Sequence, residues 1–186
     1  MRKKRNFHPE RKMKPVFLVF CEGQTEETYV NLLRQKFRLP IKIISHITGL
    51  NISPVLIKKY IKFTRLDRND TIATFLMYDL DTKGISEKLA VCNESVNICS
   101  SPCIELWFLL HSIDQFAEIS TAACISSLKK IADWKNYNKG ILSLKHKEIL
   151  WEKKNIACQR AKTLPDAGNP SSSVYKLIEA MQKVKN

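Results

Sequence analysis

From residue 15 to residue 111, short apolar runs alternate with amphipathic stretches, and the period of the pattern changes at each step. PVFLVFC (15–21) is apolar and β-rich, which predicts a strand buried on both faces. Residues 25–38 follow with Tyr29, Leu32, Leu33 and Phe37 at helical spacing. Thr25 is the expected cap of that helix, Glu26 and Glu27 fall in its first turn, and Pro40 is its expected stop. IKIISHI (41–47) predicts a second strand. Ser53 and Pro54 open a further helix with Val55, Ile57, Tyr60 and Ile61 inward. DTIATFLMYD (70–79) predicts a third strand, 85–92 a short helix, ESVNICS (94–100) a fourth strand, and CIELWFLLH (103–111) a buried helix. This β-α-β-α-β-α-β order, with crossovers long enough for helices, predicts a mainly parallel sheet covered on both faces.

Beyond residue 120 the pattern turns helical and lysine-rich. TAACISSLKKIADW and SLKHKEILWEKKNIACQRAKTL read as helices, and GNPSSSVYKLIEAM as a turn leading into a final helix. In that helix Ser171 to Ser173 are expected to cap, with Val174, Leu177, Ile178 and Met181 facing inward. Three regions result: a basic flexible arm (1–14), an α/β core (15–120) and a helical C-terminal region packed on it (121–186). At 186 residues and 44% hydrophobic, the chain can bury a sizeable core. No apolar run approaches the roughly 18 residues that span a bilayer. The six cysteines contain no C-x-x-C pair, so reduced core thiols and a cytoplasmic location are expected.

Charge sharpens this division. The net charge is +13, with +6 in residues 1–14, −1 in 15–128 and +8 in 129–186. Basic flanks around an acidic centre suit a protein that grips phosphates outside and holds a cation inside. Lysine-rich exposed helices of an ordinary globular protein give the same totals. Aromatics do not interleave the basic runs densely enough for a single-strand stacking platform.

The candidate chemistry sits where the strands end, since parallel sheets collect function at their carboxyl edge. Glu22 follows the first strand, and Asp79 and Asp81 (MYDLDTKG) the third. Side chains two apart along a strand share a face, so Asp79 and Asp81 are expected to point together. Such a group repels itself without a cation, and Mg²⁺ or Mn²⁺ would relieve that. Each piece has a plainer reading as well: Asp pairs favour turns, and Glu26, Glu27 and Glu105 can serve helix dipoles. Glu105 stands near the start of a very apolar helix, where an unpaired carboxylate is expensive. His111 reads as a core or capping histidine. An EF-hand loop from Asp79 would need Glu at its twelfth position, which is Ala90. The strand-end motif of haloacid-dehalogenase phosphatases would need Thr or Val where Lys83 stands.

Four stretches in order, VFCEGQTEETYV, FLMYDLDTKG, SSPCIELWFLLH and GNPSSSVYKLIEAM, resemble the RloB-like proteins, whose core looks like a Toprim domain. That resemblance implies a Toprim-like α/β fold in which Glu22, Asp79 and Asp81 match the strand-end glutamate and D-x-D. It adds Glu26 and Glu105 as further candidate ligands of Mg²⁺ or Mn²⁺, with catalysis resting on Glu22, Asp79, Asp81 and Glu105. It implies nuclease action on RNA such as tRNA, or on DNA, in a restriction or phage-defence setting beside an ABC-type ATPase partner. The alternative is a non-catalytic nucleic-acid-binding partner of that ATPase. Candidate phosphate contacts are Arg2, Lys3, Lys4, Arg5, Lys83, Ser172 and Ser173, the two serines at an open helix start. Oligomeric state is left open, and no membrane association is expected.

Removal of residues 1–12 is expected to weaken nucleic-acid binding about equally for all sequences and to flatten its salt dependence. Folding should barely change, because the arm has little to bury. A titration of binding against salt checks this, and an unchanged slope would assign the arm elsewhere.

Overall fold

The structure is a computed structural model that describes residues 15–39, 42–64 and 71–185. The arm, with Arg2, Lys3, Lys4 and Arg5, lies outside the described residues, as do Pro40 and Asp70. Strands β1 (Pro15–Cys21), β2 (Lys42–Ile47), β3 (Thr71–Asp79) and β4 (Val96–Ser101) pair in parallel, and β5 (Ser171–Ser172) adds antiparallel to β4. The spatial order is β2-β1-β3-β4-β5. Helices α1 (Gln24–Phe37), α2 (Pro54–Phe63), α3 (Ile85–Ala90) and α4 (Ile104–Leu110) connect or follow the parallel strands. The C-terminal region adds α5 (Thr121–Lys130), α6 (Leu144–Glu152), α7 (Lys154–Thr163) and α8 (Tyr175–Lys185). The chain is α/β with a mostly parallel five-stranded sheet, the arrangement of a Toprim-like core.

The period-2 alternation of β1 separates two cores. Val16, Leu18 and Phe20 face Ile57 of α2 and Ile85 and Leu89 of α3. Phe17, Val19 and Cys21 face the opposite way, into a larger cluster with Tyr29 and Leu33 of α1 and Trp107 and Phe108 of α4. That cluster continues through Cys124, Leu150, Ala157, Val174, Leu177, Ile178 and Met181 of the C-terminal region. Helices therefore cover both faces, but far more heavily on the α1 and α4 side. No helix among the described residues is long and apolar enough to cross a membrane.

Several element ends differ from expectation for identifiable reasons. Gly23, not Thr25, precedes α1, and its N–H donates to the Glu26 carboxylate at 2.9 Å. Ser53 does cap α2, with its hydroxyl accepting from Leu56 N at 3.2 Å. Ser171 to Ser173 form no open helix start. The outer edge of β4 has backbone groups to satisfy, and this segment satisfies them: Ser173 N donates to Cys99 O, and Cys99 N to Ser173 Oγ, both at 2.8 Å. The Ser172 hydroxyl is buried 3.1 Å from that of Ser100, and the Ser171 hydroxyl donates to Gly168 O at 2.8 Å.

His111 ends α4 as a buried C-cap, with Nδ1 2.8 Å from the carbonyl of Trp107. Burial lowers its pKa from the usual 6.5 to about 4. The unfolded chain therefore binds the extra proton between those values, and stability falls as pH drops from 6.5 toward 4. His111→Gln should remove this component, so chemical denaturation of parent and variant should converge in acid. Parallel curves across that window would contradict the assignment.

Candidate metal centre at the carboxyl edge of the sheet

Pairing of β1 with β3 places Cys21 opposite Met77, and Glu22 N continues the ladder to Met77 O at 3.0 Å. One residue beyond the strand, the Glu22 carboxylate therefore meets the end of β3, where its Oε2 accepts from Asp79 N at 3.0 Å. Asp79 is the last residue of β3 and is 8% exposed. Its Oδ1 accepts from Ile104 N at 2.7 Å and so caps α4, whose own N-cap residue, Cys103, contributes no side-chain bond. Glu26, 5% exposed, arrives from the first turn of α1, and Glu105, fully buried, from the first turn of α4. The two strand ends and the two helix starts converge.

Electrostatics mark the crowding. Burial pushes the Asp79 carboxyl up to about 9, reinforced by Glu26, Glu105 and Glu22 and opposed by Lys139. Glu22 and Glu26 are also raised, chiefly by burial, and in part lowered again by the backbone N–H groups they accept. Glu105 Oε1 accepts from the Tyr137 hydroxyl at 2.8 Å, whereas Oε2 has no hydrogen-bond partner. Lys139 Nζ lies 3.9 Å from that oxygen. Burial disfavours its ammonium, but Glu105, Asp79 and Glu26 outweigh this and raise its pKa. Beside these groups opens a cleft of about 290 Å³, lined by Glu22, Glu26, Asp79, Lys139 and the backbone around Gly23 and Gly140.

Not every candidate joins the cluster. Strand β3 stops at Asp79, so the alternation that was to align Asp81 with it does not extend that far. Asp81 is exposed, accepting from the Thr121 hydroxyl at 2.7 Å and the Thr82 hydroxyl at 3.4 Å, although its charge still raises Glu22. Lys83 is exposed on the turn before α3. Ser172 and Ser173 are engaged by β4, as described above. Glu27 instead accepts from the Ser45 hydroxyl of β2 at 3.2 Å. The sequence reading missed Lys139 and Tyr137, which lie in NYNKG, a polar stretch with no periodicity. The one signal there was Gly140, which adopts φ +80.

Carboxylate oxygens with no sulfur or imidazole in the group fit a hard divalent cation such as Mg²⁺ or Mn²⁺. The Glu105 oxygen without a hydrogen-bond partner and the raised Asp79 carboxyl both mark a carboxylate group that Lys139 alone does not balance. Among the described residues no three His, Cys, Asp or Glu side chains stand at ion-holding spacing. Mg²⁺ commonly takes only one or two carboxylates, completing its shell with waters and substrate phosphates.

In metal-free protein the fold holds the Asp79 proton more tightly than the unfolded chain does. Stability contributed by that proton is therefore full near pH 4 and lost as pH climbs through about 9. Asp79→Asn keeps the acceptor for Ile104 N and cannot ionise. Denaturation in EDTA should show the variant gaining on the parent between pH 7 and 9, where His111 no longer titrates. A constant gap over that range would refute the placement.

No curated protein and no solved structure gives a match to the chain. The family model for RloB-like proteins matches residues 17–181, which takes in Glu22, Glu26, Asp79, Asp81, Glu105 and Lys139. By that match over most of its length, the chain belongs to the RloB-like family.

Proposed function

We propose that this protein is a Mg²⁺- or Mn²⁺-dependent nuclease that hydrolyses phosphodiester bonds in RNA such as tRNA, or in DNA. The observation that carries the reading is the gathering of Glu22, Glu26, Asp79 and Glu105 at one carboxyl edge in a chain of net charge +13. Acidic groups crowded into one corner of a basic protein suit a cation and a polyanion bound together.

Glu22 and Asp79 would hold the ion, with Glu26 and Glu105 behind them and Asp81 at the rim. A divalent cation supplies Lewis-acid polarisation of the phosphate and a more acidic bound water. The protein's own groups supply orientation. The Asp79 N–H fixes one oxygen of Glu22, and Ile104 N fixes one oxygen of Asp79, in a cleft that both residues line. Glu22, half-buried and raised, can also take a proton from an attacking water. No tyrosine is assigned as nucleophile: Tyr137 is buried and already donates to Glu105. Lys83 on the exposed turn, and the basic arm, would contact phosphates. Ser172 and Ser173 drop out of that role because β4 occupies their hydroxyls. The setting implied by the resemblance, phage defence or restriction with an ABC-type ATPase partner in the cytoplasm, belongs to the same proposal.

A second reading, a nucleic-acid-binding partner of the ATPase that cuts nothing, draws on the lack of a ready ion-holding triplet among the described residues. Incubation of the purified protein with tRNA and with plasmid, in Mg²⁺, Mn²⁺ or EDTA, separates the two. Cleavage in the metals alone is expected, with Asp79→Asn and Glu22→Gln each at least 100-fold slower, on the order of the 2.7 kcal/mol that 100-fold represents. Binding without cleavage, alone and with the ATPase, would favour the second reading.

A further inference from the structure

Lys139 belongs to no motif and comes from the C-terminal region, yet the residues on either side of it are tied to two helices of the core. The Tyr137 hydroxyl donates to Glu105 Oε1 at 2.8 Å and ties one side of the loop to α4. On the other side, Gly140 N donates to the Thr25 hydroxyl at 2.9 Å, and the Thr28 hydroxyl donates to Gly140 O at 3.1 Å, tying it to α1. Asn138 and Ile141 close the turn as an isolated bridge. Gly140 has φ +80, and a Cβ there would come within 3.2 Å of Gln24 Cγ, so both the turn and its close seat on α1 call for glycine.

The tip is different. The Lys139 side chain is 53% exposed, and its one ion pair within 4 Å among the described residues is the 3.9 Å approach to Glu105 Oε2. That distance exceeds a hydrogen bond, so the ammonium keeps all three of its donors for another acceptor. A lysine needed only as counter-charge to a fully buried carboxylate would gain by closing to contact, since an uncompensated buried charge is expensive. Instead it lines the cleft together with Glu22, Glu26 and Asp79.

We propose that Lys139 is a substrate-contacting residue whose ammonium engages a non-bridging oxygen of the phosphate seated beside the carboxylates. A compact ammonium with free donors is suited to a phosphate oxygen as a point charge. The loop that carries it links α1 and α4, the two helices that bring Glu26 and Glu105, so the position of the cation is set by the same elements that set the anions. This inference rests on the nuclease reading for the site but assigns a different role, phosphate contact rather than ion holding.

The test measures a labelled oligonucleotide binding to parent, Lys139→Met and Lys139→Arg, with Ca²⁺ in place of Mg²⁺ so that binding is read apart from turnover. Thermal melting with and without Mg²⁺ reports the carboxylates separately. Lys139→Met should lose at least tenfold in affinity, with its binding slope against salt lower by about one, while the Mg²⁺-induced stabilisation is kept. Lys139→Arg should restore the slope and most of the affinity. Affinity within twofold of the parent, or loss of affinity together with the Mg²⁺ effect, would overturn the proposal and leave Lys139 as a counter-charge to Glu105. Should Lys139→Met fail to fold, the comparison moves to Glu105→Gln with and without Lys139→Met, where the buried charge has been removed, and the same tenfold drop is expected. A parent that binds in Ca²⁺ but cleaves nothing in Mg²⁺ or Mn²⁺ sinks the nuclease reading, while the affinity ratio still decides the role of Lys139. A parent that binds no oligonucleotide sinks both.

Discussion

Crowding of like charge at the carboxyl edge of β1 and β3 is the constraint to which the surrounding structure answers. Parallel pairing brings the ends of those strands side by side, and the residues there are Glu22 and Asp79. Two partly dehydrated carboxylates at that spacing repel, and Glu26 and Glu105 add to the repulsion. The fold offsets this with dipoles. Asp79 N donates to Glu22, Ile104 N to Asp79, Gly23 N to Glu26 and the Tyr137 hydroxyl to Glu105. Each of these charge-assisted bonds stabilises by about 1.5–3 kcal/mol if the group is ionised. Burial of a carboxylate costs several kcal/mol, so the bonds only partly compensate it. The remainder appears as proton affinity, which is why Asp79 is pushed to about 9.

What the sequence disclosed and what it concealed follow from how far each inference had to reach. Glu22 and Asp79 were legible because two facts about parallel strands, their apolar content and their adjacency, suffice to bring the strand ends together. Asp81 was read from the same alternation, but the strand ended two residues too early for that rule to hold. Thr25 has the chemistry of a cap, and its hydroxyl is indeed an acceptor, but for Gly140 N from a loop far along the chain rather than for its own helix. The three serines before α8 show the same limit. Cap and edge strand use the same residue types, and only the unpaired side of β4, invisible locally, decides between them.

Lys139 was beyond local reading altogether. Its segment has neither helical nor strand period, and a lysine in a lysine-rich region carries no signal of its own. Its position depends on two side chains of α1, Thr25 and Thr28, and on one of α4, Glu105. These contacts span the C-terminal region and the core, so no local stretch of sequence contains both partners.

That dependence changes how the C-terminal region should be regarded. The two faces of the sheet are unequal: α2 and α3 cover one with a small cluster, whereas the other continues from α1 and α4 into α5 to α8 without a break. The carboxylates from helices, Glu26 and Glu105, both sit on the heavily covered side, and the loop bearing Tyr137 and Lys139 closes over them from that region. Thr121, at the start of α5, likewise holds Asp81. A core cut at residue 120 would keep both strand-end carboxylates but lose the hydroxyl on Glu105, the nearby ammonium and the restraint on Asp81. The strand-end carboxylates and three of the donors that offset them, Gly23 N, Asp79 N and Ile104 N, thus belong to the core. The C-terminal region adds the Tyr137 hydroxyl and the Lys139 ammonium, and the site is complete only when both are folded together.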